Sequence, residues 1–190
     1  MPTLISNHNK QVIEKRLAKY YSEINQAITL SETENGPYAT WDFDLSSQDF
    51  YKTYLAKYLN VLKVDFNSDV RFLTIYFADG SAATMGYTKC LNFYPKSPKE
   101  LYNATCSNHI IENQFNKYGK DVFEFDLCYG NNSWADKKFE PMDTAGCTTQ
   151  NQLSNDYLYQ NCENPNNGRS CTEIIRRNGW KIPKDYPIKI

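Results

Sequence analysis

One amphipathic stretch near the N-terminus constrains the fold more than any other part of the chain. Between residues 12 and 34, apolar side chains recur in steps of three and four, the spacing of one helical face. Asn35-Gly36-Pro37 then ends the pattern, as expected of a helix terminus. We predict a helix over residues 6–36 that serves as a spine for the domain. Its predicted packing face, with Tyr21 beside it, is Val12, Ile13, Leu17, Tyr20, Ile24, Ala27 and Ile28. Charged and polar residues, Glu14 among them, are predicted to fill the other, outward faces of the helix.

A second helix is predicted over residues 46–62. Ser46 followed by Asp49 has the spacing of an N-cap with an acid at the third helical position. The loop before it carries Trp41 and Phe43, which we expect to fold back against the spine. We interpret the apolar face of this second helix as core packing and not as a ligand platform; it consists of Phe50, Tyr51, Tyr54, Leu55, Tyr58, Leu59 and Leu62.

Residues 63–128 have the pattern of an antiparallel sheet. Runs over 71–77 and 81–87 flank Asp79-Gly80, which predicts a β-hairpin with a type I′ turn. A third strand is predicted over 122–127, with Phe123, Phe125 and Leu127 facing the spine, and with Val122, Glu124 and Asp126 facing water. A long helix packed on three or four such strands is α+β in class, and the 190 residues suit a single domain, 1–190.

Six cysteines, all from residue 90 onwards, predict disulfides and an oxidising compartment. No Cys-x-x-Cys pair occurs, and only His8 and His109 could help to bind zinc, so neither a zinc site nor a redox centre is predicted. Reduced, buried thiols in a cytosolic protein remain the alternative. Because short loops close most often, we predict nearest-neighbour pairing: Cys90 with Cys106, Cys128 with Cys147, and Cys162 with Cys171.

The Cys-rich C-terminal region spans residues 129–190, and its first part, residues 129–169, is predicted to be loop. One short helical turn is expected over 153–159, and disulfides supply the constraint that apolar burial does not. A last short helix is predicted over 172–177, capped by Ser170 and ended by Gly179. We expect Trp180 and Ile182 to dock on the sheet or on the loop.

The charge balance argues against a nucleic-acid partner. The chain has 21 Lys and Arg against 22 Asp and Glu, and the pairs Lys137-Lys138 and Arg176-Arg177 are interpreted as solvated faces. The carboxylates Asp121, Glu124 and Asp126 are candidates for acid/base work, but we assign them to a solvated face as well. No nucleophile, phosphate-loop or metalloprotease motif is present, so we predict no enzyme and no catalytic residue.

Several segments, taken in order, are similar to one bacterial family. Residues 19–28 and 31–36, with Trp41 after them, resemble the soluble half of the N-terminal helix in type IV pilins and type II secretion pseudopilins. Residues 119–125 look like the segment that follows the central hairpin in that family. The ending, over 171–175, 178–183 and 185–187, is similar to the tails of some pilin-like proteins.

The resemblance implies a pilin-like fold and a structural role. It predicts a subunit of a type IV pilus or secretion pseudopilus, located in the periplasm or in a cell-surface filament, whose partners are other subunits. In that family a leader and about 20 apolar residues hold the precursor in the inner membrane before assembly. We interpret this sequence as the soluble part without that segment, and expect it to be monomeric.

Two other functions remain open, together with one possible ligand. With 15 Tyr and 3 Trp, the chain suits a secreted lectin or adhesin module that forms no filament, and an extracellular hydrolase is the third candidate. No cofactor is predicted. Some pseudopilins bind calcium in a C-terminal loop, and residues 143–167 are rich in oxygen donors, but these donors lack EF-hand spacing.

Overall fold

The chain is α+β, with a long N-terminal helix on a six-stranded antiparallel sheet. The computed structural model describes residues 2–86, 89–97, 117–129, 138–142, 153–164 and 168–190, with side chains from residue 7 onwards. The helices are α1 (Pro2–Asn35), α2 (Ser47–Phe50), α3 (Asn155–Glu163) and α4 (Cys171–Arg177). The strands are β1 (Lys63–Phe66), β2 (Leu73–Tyr76), β3 (Ala82–Met85), β4 (Cys90–Tyr94), β5 (Phe123–Leu127) and β6 (Phe139–Pro141).

Helix α1 is the predicted spine, and it lies across one face of the sheet. It ends where the sequence indicates, because Gly36 takes a positive φ of 78° that other residues rarely adopt. Tyr20 lies at the centre of the contact: its ring stacks on Phe93 at 4.2 Å and meets Phe125 and Phe139 edge-on at 5.3 and 5.7 Å. The buried members of the predicted face are Ile13, Leu17, Tyr20, Ile24, Ala27 and Ile28, while Val12 is half-buried.

The second helix is shorter than predicted. Four α-helical residues lead into a π-helical turn, Tyr51–Leu55, in which the Ala56 N–H donates to the Tyr51 carbonyl at 2.8 Å. The predicted cap is confirmed, since the Ser46 side chain accepts from the Asp49 N–H. Leu62 lies beyond this helix and is 72% exposed, so its assignment to the packing face was wrong.

The loop between the two helices folds back as predicted. Trp41 is buried, stacks on Tyr54 at 4.4 Å, and donates its Nε1–H to the Gly36 carbonyl at 3.0 Å. This contact joins the end of α1 to the helical turn that follows α2.

The six strands form a meander, in which each pairs with the next along the chain. We predicted three or four strands, and β6 lies in the region that we predicted to be loop. A segment of three residues that ends in a proline has little sequence pattern to indicate a strand, although a proline is acceptable in an edge strand. The predicted hairpin is β2–β3, but its turn is not type I′, because only Gly80 has a positive φ (81°).

The C-terminal region contains more structure than predicted. Helix α3 has nine residues, and the disulfide Cys162–Cys171 joins it to α4, which confirms that pairing. Cys90 and Cys128 are also disulfide-bonded, whereas Cys106 and Cys147 lie outside the described residues. Ser170 is not a side-chain cap, since its hydroxyl makes no capping bond to α4. A small apolar cluster surrounds the disulfide: Leu158, Cys162, Cys171, Ile174 and Ile188.

Candidate functional site

Polar contacts hold α1 to the sheet at two separate places. The Arg16 guanidinium donates to the carbonyls of Asp79 and Pro95, so it reaches both the β2–β3 turn and the end of β4. Near the other end of the helix, Glu32 pairs with Lys138 at 2.5 Å, just before β6. These polar contacts therefore fix where α1 lies along its own axis, in addition to the apolar contact that holds it against the sheet.

A third contact comes from the end of the chain, and we call Trp180, Lys181 and Ile182 the C-terminal clamp. Glu14 of α1 accepts the Ile182 N–H at 3.0 Å through Oε1 and pairs with the Lys181 Nζ at 2.9 Å through Oε2. Trp180 packs on Tyr21 with 5.0 Å between ring centroids. The predicted docking of Trp180 and Ile182 thus extends to the spine. The assignment of Glu14 to a polar, outward face was wrong, because it is only 9% exposed.

Ion pairs from α4 support the clamp. Glu173 pairs with Arg176 at 2.6 Å and with Arg177 at 2.8 Å, and Arg176 also lies 3.8 Å from Glu140 of β6. Tyr21 of α1 donates its hydroxyl to Glu140 at 3.3 Å. Burial and the neighbouring Glu140 carboxylate raise the pKa of Tyr21 to about 12, so the hydroxyl keeps its proton.

These contacts correct the interpretation of the two basic pairs as solvated faces. Lys138, Arg176 and Arg177 are structural ion-pair partners, and Lys137 lies outside the described residues. Two adjacent basic residues in a sequence do not reveal whether an acid from another element will lie beside them.

The N-terminal end of α1 extends past its packed face. Its first buried side chain after residue 6 is Ile13, so residues 7–12 form a segment that the domain covers only in part. Lys96 donates to Asn9 at 2.9 Å across an exposed contact. None of the helices in the described part of the chain is long and apolar enough to cross a membrane.

A row of polar side chains lies on the sheet face opposite the spine. Thr84, Asn92 and Glu124 are paired across β3, β4 and β5, and they are 4%, 1% and 1% exposed. Arg169 approaches Glu124 from the segment before α4, with 3.4 Å between Nε and Oε2. Glu124 Oε1 also lies 3.3 Å from the sulfur of Cys90. The predicted solvated face of β5 is therefore wrong for Glu124, and it is also wrong for Val122, which is 0% exposed.

Burial raises the pKa of Glu124 to about 7, an effect that the Arg169 charge partly opposes. Asp126, half-buried two residues along the strand, has its pKa raised to about 7 by the same cause. A carboxyl with such a pKa could act as an acid or base, but Glu124 is closed to solvent and so to substrate. Asp121 lies in the turn before β5, where its carboxylate accepts the Lys117 N–H at 3.1 Å.

Comparison with known proteins gives one result. Residues 3–190 match a family of unknown function, DUF6613. The chain belongs to this family. No curated protein and no solved structure matches it. The match covers the spine, the sheet and the C-terminal clamp together, so these elements are parts of one DUF6613 unit.

The DUF6613 chain offers no metal centre within the residues that the structure describes, where no three His, Cys, Asp or Glu side chains come together. Of the oxygen donors between residues 143 and 167, Asn155, Asp156 and Glu163 lie on α3, and Asn164 directly follows that helix. Asp143, Asn151, Asn166 and Asn167 lie outside the described residues, as does His109.

The buried Glu124 predicts an unusual pH dependence for the DUF6613 fold. Its pKa rises from 4.5 in the unfolded chain to about 7 in the folded one, so the folded state holds a proton that the unfolded state releases. The stabilisation is complete below pH 4.5 and is lost as pH rises through 7, a change on the order of 3 kcal/mol. Glu124→Gln cannot ionise and should remove this contribution, whereas the contribution of Asp126, whose pKa is also raised to about 7, remains.

The measurement is the free energy of unfolding in urea between about pH 5 and about pH 8. Glu163→Gln, which removes an exposed carboxylate at the end of α3, is the control. If Glu124→Gln and wild type follow the same pH profile, Glu124 is not the group responsible.

Proposed function

We propose that this chain is a structural subunit of a bacterial type IV pilus or type II secretion pseudopilus. The observation that carries the proposal is α1, a 34-residue helix that packs on the sheet along its C-terminal part and extends past its packed face at the N-terminal end. A helix of this length, about 50 Å, exceeds what one small sheet can cover. Such a helix suits a subunit that is held in a filament by its N-terminal part.

The rest of the fold supports the same proposal. A single sheet carries the spine on one face, and a disulfide-bonded C-terminal region adjoins strands β5 and β6. The resemblance of residues 19–28 and 119–125 to pilins concerns the middle of α1 and the start of β5, which are elements of one core. No chemistry is needed in this role, and the closed position of Glu124 agrees with that.

The mechanism would be assembly, with the spine transmitting load to the globular part. Arg16, Glu32 and Glu14 hold α1 to three separate parts of the chain, in addition to the apolar contact around Tyr20. Sliding of the helix along its axis would break all three polar contacts at once. The globular part would therefore follow any movement of the filament core.

A chimera tests this proposal. An apolar helical segment of about 20 residues replaces Met1 and Pro2 and is joined in helical phase to Thr3, so that no proline interrupts the helix, and the fusion is expressed in a bacterium that has a pilus assembly machine but lacks its own subunit. We expect the chain to appear in filaments sheared from the cells. The control carries Gly-Gly-Pro at the junction, which keeps the membrane segment but breaks the helix. Retention of both fusions in the membrane fraction would contradict the proposal.

The 190 residues by themselves are expected to be monomeric at micromolar concentration. Before Ile13 the sequence offers only Leu4, Ile5 and Val12 as large aliphatic side chains, too little for the roughly 1,200 Å² of a stable interface. Sedimentation should give one species near 22.1 kDa. A tight dimer at micromolar concentration would instead favour a secreted oligomeric module.

A further inference from the structure

Strand β1 forms one edge of the sheet and pairs only with β2 among the described strands. An edge strand with free backbone groups can pair with another chain. Two large apolar side chains, Leu62 and Phe66, flank this edge and are 72% and 46% exposed. The edge is therefore accessible and has apolar surface at both ends.

The hydrogen bonds of β2 indicate which backbone groups of β1 face outward. Phe77 donates its N–H to the Ser81 carbonyl on the β3 side. Backbone groups of neighbouring residues in a strand point to opposite sides, so those of Tyr76 point to β1, and the Tyr76 carbonyl accepts the Leu62 N–H at 2.8 Å. Lys63 and Asp65, which pair with Tyr76 and Thr74, consequently direct their backbone groups to β2. Because the direction of the backbone groups alternates along β1, the N–H and C=O of Val64 point away from β2, toward the edge of the sheet.

We propose that β1 pairs antiparallel with β1 of a second copy of this chain, about a two-fold axis at Val64. Val64 of each copy then exchanges two backbone hydrogen bonds with the other Val64. Lys63 lies opposite the second copy's Asp65, and Asp65 opposite the second copy's Lys63. The same register places Leu62 opposite the second copy's Phe66 at both ends.

Charge selects this register from its neighbours. A register that places Val64 opposite the second copy's Leu62 puts Lys63 against Lys63, and one that places Val64 opposite Phe66 puts Asp65 against Asp65. Like charges directly opposite each other are unfavourable in both. A register shifted by a single residue would instead place side chains from opposite faces of the two strands against each other. Only the register centred on Val64 makes the edge complementary to itself.

The side chains needed for this contact are available in the monomer. Lys63 and Asp65 form an ion pair of 2.9 Å whose side chains are 58% and 45% exposed. In the dimer the two ion pairs would join into one group of four alternating charges. Because each strand has four residues, the contact falls below the area of a stable interface and should be weak, in agreement with a monomer at micromolar concentration.

This inference goes beyond the proposed function and does not depend on it. A two-fold contact closes on itself after two copies, whereas a polar filament repeats one head-to-tail contact along its length. Pairing through β1 would therefore join two free domains, or subunits of two different filaments. A negative result in the chimera experiment would therefore not contradict the proposed pairing of β1 strands.

Two single charge reversals give a decisive test. In Lys63→Glu and in Asp65→Lys, every facing pair within a homodimer carries like charges. Mixing the two variants restores opposite charges at both positions, as does the double variant K63E/D65K. The measurement is sedimentation equilibrium up to about 1 mM, with the amide protection of Val64 followed in parallel.

We expect wild type to dimerise in the upper part of this range, and each single variant to bind itself about fivefold more weakly or worse. The equimolar mixture and the double variant should recover the wild-type constant, and Val64 should gain protection only where dimers form. Lys189→Glu, an equal charge change far along the chain from β1, should have no effect. Absence of a wild-type dimer near 1 mM, or a dimer that the single reversals do not weaken, would overturn the proposal.

Discussion

Replacing Ile24 with Asp is expected to prevent the chain from folding. Ile24 is 0% exposed and lies one helical turn from Tyr20 and from Ile28, both of which are buried in the same core. A carboxylate at this position would be buried without a partner, at a cost of several kcal/mol. Small domains have a total stability of about 5–15 kcal/mol, so one such change can remove most of it.

Circular dichroism and thermal unfolding measure the outcome. Gln26→Asp introduces the same carboxylate two residues away on the exposed side of α1, and should change stability by about 0.5 kcal/mol or less. Ile24→Ala creates a cavity but no charge, and should cost about 2–5 kcal/mol while leaving a folded protein. Equal tolerance of Asp at positions 24 and 26 would show that this face of α1 is not buried in the monomer.

The spine could be predicted because its signals are local. The spacing from Val12 to Ile28 and the Gly36-Pro37 end lie within one element, and no distant residue is needed to interpret them. The hairpin at Gly80 and the inward face of β5 were predicted for the same reason. Alternation along β5 correctly separated Phe125 from Glu124, but it could not tell what covers the second face of the sheet.

What sequence reasoning missed depends on distant partners. Glu14 was assigned to an outward face, yet its hydrogen-bond partner Ile182 is 168 positions away. Glu124 is buried beside Arg169, a residue from a region that was predicted to be loop. A useful signal was present at Glu14: it follows the buried Ile13, so it lies near the edge of the apolar face, where a polar side chain can be covered.

Short elements were missed for a different reason. Strand β6 has three residues and the π-helical turn has five, too few for a periodic pattern to be distinguished from chance. Both are held by the core: Phe139 of β6 and Tyr54 of the turn are buried against aromatic rings, at 5.7 Å from Tyr20 and 4.4 Å from Trp41. Tertiary packing determines these segments, and that information is spread over the whole chain.

Reduction of the disulfides is expected to cost the fold several kcal/mol. A disulfide of this kind typically contributes about 2–4 kcal/mol by restricting the unfolded chain. Cys162–Cys171 closes a short loop between α3 and α4, and Cys90 and Cys128 are bonded as well, so more than one contribution is lost together. The purified protein should show at most trace free thiol under denaturing conditions, and its thermal midpoint should fall after reduction.

The double variant C162A/C171A separates the C-terminal bond from the others. That bond lies in the small apolar cluster with Leu158 and Ile174, and Gly119 packs so closely on Cys171 that an added Cβ would lie 2.5 Å from its sulfur. We expect a loss of about 2–3 kcal/mol, with faster amide exchange in α3 and α4. Exchange in β4 should change little, because β4 lies between β3 and β5 in the sheet. Several titratable thiols in protein made under oxidising conditions would contradict both the oxidising compartment and the role of this bond, since α3 and α4 would then have to be held by the cluster alone.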